Sequence, residues 1–184
     1  MRREFRWKGV VAAAVAALCS ACGAGAPNAG EPPPGIPVSL QPPAQPFPQA
    51  ALSEENQALL GALVMGFLVD ATLRQSQELV PAVGWSDVIV PLQPQADYRS
   101  DVTLQAGRWY RFLGACDFEC GNIDLELIDA NGVVVVRDLF ANDFPQMDFM
   151  SETGGVYTLR IMMRSCTIAP CYAGVRMVTQ PDAP

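Results

Sequence analysis

The stretch from Cys120 to Asp138, CGNIDLELIDANGVVVVRD, decides the fold. Ile123, Leu125 and Leu127 alternate with Asp124 and Glu126. That is the period of two that sends successive side chains to opposite faces of a strand. The apolar set predicts a core face, and the two carboxylates predict a solvent face. Asn131-Gly132 follows, a pair that tolerates the positive φ angles of a tight turn. Asp129 and Asn131 are of the type that holds such a turn through its own backbone. A run of four valines then supplies the return strand. The stretch therefore reads as a β-hairpin with one buried side.

The same signals recur on both sides of it. From about Trp85 onward, SDVIVPL, SDVTLQ, RWYRFLGAC, NIDLELID, GVVVVRDLF, GGVYTLRIMMRS and CYAGVRMV are strand-like, and QMDFM is a weaker eighth. Tyr157, Leu159, Ile161 and Met163 face one way, and Thr158, Arg160 and Arg164 the other. Seven or eight short strands in roughly 95 residues predict an antiparallel β-sandwich over residues 85–180.

Upstream, residues 53–79 predict one long helix within the segment 51–80. Ser53 suits the N-cap, and Glu54 and Glu55 suit the positive end of the helix dipole. Leu60, Leu63, Val64, Phe67, Leu68 and Ala71 fall at helical spacing. Ala58 to Val69 carries no polar side chain, yet twelve apolar residues are too few to cross a bilayer. The helix is expected to wedge against the sandwich, and Leu60, Val64 and Phe67 are candidate contacts for a partner protein or the membrane interface.

Residues 23–50 are rich in proline; nine of the sixteen prolines lie between positions 27 and 48. Proline donates to neither helix nor ladder, so this is a disordered tether of polyproline type. The first residues read as an export signal: Arg2, Arg3, Arg6 and Lys8, then an apolar run from Gly9 to Leu18, then small residues. LCSAC resembles the lipobox of bacterial lipoproteins, with Cys22 as the lipidated residue and residues 1–22 as the signal segment. Cys19 stands where that family usually has Leu. The expected location is the periplasm or outer membrane as a lipoprotein, or outside the cell.

Beyond position 22 the chain has eight Arg, no Lys and eighteen Asp plus Glu, a net charge of −10. Nucleic acid and anionic surfaces are poor partners for it. With no histidine anywhere, histidine catalysis and histidine metal ligation are excluded.

Three pieces in order carry a family resemblance: Ala106-Gly107 to Tyr110 and Phe112; Asp124-Leu125, Leu127, Asp129 and Gly132; Thr153-Gly154, Tyr157, Leu159 and Ile161. Over residues 85–178 this is similar to the bacterial pre-peptidase C-terminal domain family. The resemblance implies a jelly-roll-like β-sandwich that accompanies secreted hydrolases as an accessory or binding module. No peptidase domain is recognisable beside it, and the two cysteine pairs go beyond the family's common pattern.

Cys116, Cys120, Cys166 and Cys171 are read as disulfides, since an exported chain meets an oxidising compartment. Of three possible connectivities, the two local pairs are expected. A four-cysteine zinc site is the weaker alternative. Among the carboxylates, Asp117, Glu119, Asp124 and Asp138 could form a calcium site outside the EF-hand pattern, because calcium takes six to eight oxygens. The EF-hand itself fails, as Gly132 comes too early. No cofactor is expected, with calcium as the possible exception. If Tyr110 and Phe112 face the core, Trp109 faces outward, where it could stack on a sugar or a partner or lie under the helix.

The sequence thus favours a non-catalytic envelope protein built as an interaction module, with a protein partner met through the 53–79 helix and a membrane contact through Cys22. A calcium- or glycan-binding module is the alternative. A small hydrolase is the third reading, since two carboxylates suffice for a glycosidase.

Overall fold

A computed structural model describes residues 47–75 and 78–182. The signal segment, Cys22 and most of the tether lie outside these residues. The described elements are α1 (Glu54–Gln75), β1 (Val80–Pro81), β2 (Val88–Leu92), β3 (Asp97–Leu104), β4 (Arg108–Cys116), β5 (Cys120–Ile128), β6 (Val134–Asp138), β7 (Gln146–Ser151), β8 (Gly155–Cys166) and β9 (Cys171–Thr179). The eight expected strands are β2 to β9, within a few residues at each end. The two-residue β1 has no sequence signal, because Pro81 argues against a strand.

The strands form two sheets. One has the order β1-β9-β4-β7, with β2 also on β9; the other has β3-β8-β5-β6. The pairs β2:β9, β3:β8, β4:β7 and β5:β6 are all antiparallel. The chain therefore behaves as one long hairpin rolled up on itself, which is jelly-roll topology. The β-sandwich expected from the strand pattern is present.

The core lies between the sheets. Phe112, Ile123, Leu125, Leu127, Ile161 and Met163 are completely buried there. The alternation in β5 and β8 thus has the predicted inward face. The β5–β6 turn departs from the two-residue type in one respect: Gly132 alone has positive φ, +81°, while Asn131 does not. Gly132 N–H donates to Asp129 O (3.0 Å) and Asp129 N–H to Val133 O (2.8 Å). Asp129 Oδ1 also accepts from the N–H groups of Asn131 (2.9 Å) and Val133 (2.8 Å). These bonds make a longer loop with glycine at its left-handed position.

Helix α1 is capped as expected, with Ser53 Oγ accepting from Asn56 N–H at 3.3 Å. It packs on the outer face of the β2-β9-β4 sheet, where Val64 and Leu68 meet Ala115 and Tyr172, with Leu52, Leu60, Phe67 and Ile89 around them. Gly174 makes this seat possible: a Cβ there would lie 2.8 Å from Val64 Cγ1 and 3.0 Å from Val88 O. By length and composition α1 could cross a membrane. The expectation that it could not rested on the unbroken Ala58–Val69 run alone, and the few polar residues flanking that run leave a longer apolar window.

Candidate interaction surface

Strand polarity collects four connections at one end of the sandwich: β2–β3, β4–β5, β6–β7 and β8–β9. Both disulfides are there. Cys116 bonds Cys120, and Cys166 bonds Cys171, the two local pairs expected. Each bridge spans a corner where the chain leaves one sheet for the other: β4 to β5, and β8 to β9. The two corners are also joined to each other. Asp117 N–H donates to Tyr172 O (3.0 Å), and Thr167 N–H donates to Glu119 O (2.8 Å). The incoming chain is held at the same place, with Ala169 N–H on Pro48 O (2.8 Å) and Ala50 N–H on Ala169 O (2.7 Å).

Asp117 sits inside this corner, only 2% exposed. Its Oδ2 accepts from Tyr172 N–H at 2.7 Å, and its Oδ1 is buried with no partner among the described residues. Burial pushes its carboxyl above the ordinary carboxylate range, and the hydrogen bonds from backbone amides offset this only in part. A sequence with Asp117 two residues from Glu119 reads as an acidic loop. In the structure one of these carboxylates is a buried strut.

The other calcium candidates are engaged separately. Glu119 accepts from the hydroxyl of Thr167. Asp138 accepts from Phe140 N–H (3.0 Å) and Gln146 N–H (2.8 Å), which shapes the β6–β7 connection. Asp124 corrects the expectation of a solvent face: it is 4% exposed and paired with Arg164 at 2.5 Å. Glu126 next to it is half-buried and lies 3.2 Å from Arg160. The outward side of β5 is thus covered by arginines from β8, whose long side chains lie across it. Among the described residues, no three His, Cys, Asp or Glu side chains are grouped to hold a metal ion.

Helix α1 presents two apolar faces rather than one. Of the predicted contacts, Val64 is fully buried against the sheet, and Leu60 and Phe67 are half-buried beside it. They serve the protein's own packing. The residues on the opposite side are Leu59, Ala62, Gly66, Val69 and Leu73, spaced by alternating steps of three and four. That spacing forms a seam on a helix. Leu59 and Leu73 are 61% and 68% exposed. Reading the segment for a single apolar face hid this second stripe.

Aromatic side chains gather at the stapled end. Phe67 stacks edge-on with both Phe118 (5.6 Å) and Phe144 (5.8 Å). Phe118 is nevertheless 80% exposed, and Phe140 77%. Phe47, Phe144, Leu139 and Ile168 are exposed in the same set of loops. A signal for Phe118 existed in CDFEC, where a large apolar residue stands in the middle of a three-residue loop between bridged cysteines. Trp109 is elsewhere, six residues along β4 from Ala115. Its ring is half-buried under the guanidinium of Arg111, 5.1 Å from the centroid, and Arg111 is in turn paired with Asp148 at 2.6 Å. Arg111, rather than the helix, is therefore its cover.

The opposite end holds a cleft of about 490 Å³ lined in part by Trp85, Asp101, Arg108, Tyr110 and Asp182. Its strongest charge is already matched, since Arg108 donates to Asp182 (2.5 Å), Thr179 Oγ1 (3.0 Å) and Gln180 O (2.9 Å). The chain matches no protein-family model and no curated protein.

Proposed function

We propose that the protein is a non-catalytic exported module of the cell envelope that works by binding another envelope protein, with the outer stripe of α1 as its docking face. One observation carries this reading. A helix already anchored by Val64 and Leu68 keeps Leu59, Val69 and Leu73 in solvent at seam spacing. An apolar stripe of that kind on an otherwise acidic, soluble-looking domain is a partner's binding site in search of its partner. An accessory role is also what the resemblance to pre-peptidase C-terminal domains implies.

Placing a photo-crosslinking residue at Leu73 in producing cells should trap a defined protein adduct. The same residue at Asn131, on the far hairpin, should trap none. Silence at Leu73, or equal trapping at both sites, would overturn the reading.

A further inference from the structure

We propose that the stapled end of the sandwich is a lipid-docking surface, whose exposed phenylalanines enter the interface of an uncharged bilayer. All four exposed phenylalanines among the described residues belong to the connections of this end: Phe118 and Phe140, mostly in solvent, and Phe47 and Phe144, each about half exposed. They do not come from one element. They come from the chain entry, the β4–β5 loop and the β6–β7 loop, and the β8–β9 loop adds Ile168. Only the topology brings them to one side.

Three features select lipid as the occupant. First, the tips are apolar and project from loops held at their bases. The Phe118 loop is closed by the Cys116–Cys120 bridge, and the Ile168 loop by Cys166–Cys171. Side chains already fixed outward can enter an interface without first ordering a loop. Second, loop residues 47–50, 93–96, 117–119, 139–145 and 167–170 contain no Lys or Arg. Attraction to anionic head groups is therefore absent, and binding depends on the apolar area buried. Third, the chain enters the sandwich here, at Phe47 to Ala50, bound to Ala169. The segment that precedes it carries Cys22. A lipid on Cys22 would bring the sandwich to a membrane with this chain entry nearest the anchor along the chain.

This surface is distinct from the outer stripe of α1, so the two can fail independently. The test uses the chain from residue 23 onward, which contains every described element and lacks the lipid-acceptor cysteine. Flotation with phosphatidylcholine vesicles should show binding that changes little between low and high salt. Phe118→Ser with Phe140→Ser should weaken it at least tenfold, and Val133→Ser at the far hairpin should leave it unchanged. Both phenylalanines are mostly in solvent, so the melting temperature of the double variant should stay near the parent's. If the double variant misfolds, Phe140→Ser alone, at a ring with no aromatic partner among the described residues, should still weaken binding about threefold. No binding by the parent, or binding indifferent to the phenylalanines, would overturn the proposal. So would an adduct trapped from position 140 in cells that is a protein and not lipid, since the end would then be a protein interface.

Discussion

The two ends of the sandwich are built by different means. The stapled end has two disulfides, a buried carboxylate and a chain entry pinned to a neighbouring loop, and it carries exposed aromatic rings. The hairpin end has the Asp129–Val133 turn, held by hydrogen bonds alone, and its exposed apolar residues, among them Val83, Val133, Val134, Val135, Met150 and Val156, are aliphatic. A turn that only reverses the chain needs one glycine and one carboxylate. An end that presents large apolar side chains to something else needs its loops held. The covalent bonds thus hold the proposed docking surface in shape as well as adding to global stability.

The largest effect should come from removing that reinforcement. Replacing all four paired cysteines by alanine should cost about 4 kcal/mol, roughly 2 for each small loop. Urea unfolding checks this, and a loss confined to the loops with no change in midpoint would show the bridges to be purely local. Next comes the contrast between the two faces of α1. Leu68→Ala should cost about 3 kcal/mol, because the side chain is fully buried. Leu73→Ala should stay within about 0.5 kcal/mol, as an exposed position. Equal losses would mean that the outer stripe is structural.

Smaller again is the hairpin. Gly132→Ala puts a side chain at φ +81° and should cost about 1 kcal/mol in the same assay. The smallest effect is a pair of opposite pH slopes, one from each end. Burial raises Asp117 in the folded state, so its contribution is full below the ordinary carboxylate pKa and is lost as pH rises through the folded value. The hydrogen bond from Val133 N–H, chief among the causes, lowers Asp129, so its contribution is present at neutral pH and lost as pH falls through the folded value. As pH falls from 7 to 4 the parent should gain stability relative to Asp117→Asn, and as it falls further below 4 it should lose stability relative to Asp129→Asn. Slopes of the same sign would break the contrast between the ends.

Much of the fold was legible in the sequence because its period was clear. Ile123, Leu125 and Leu127, like Tyr157, Leu159 and Ile161, could only belong to strands with one buried face. The expectation of export and the close spacing made the cysteine pairs legible too. Pairing order was not, since β2 meets β9 and β3 meets β8 across most of the chain, and local patterns carry no such information. The candidate surface was harder for the same reason. Phe47, Phe118, Phe140, Phe144 and Ile168 are scattered over 122 positions and become neighbours only through topology. Asp124 shows the converse error: alternation placed it correctly on the outer side, but could not show that Arg164 would cover it.

Hydrogen exchange of the chain from residue 23, with and without phosphatidylcholine vesicles, tests the contrast between the two ends most directly. Slower exchange in residues 117–119, 139–144 and 167–169, with residues 129–135 unchanged, is the predicted result. Slowing at the hairpin end, or at neither end, would contradict it.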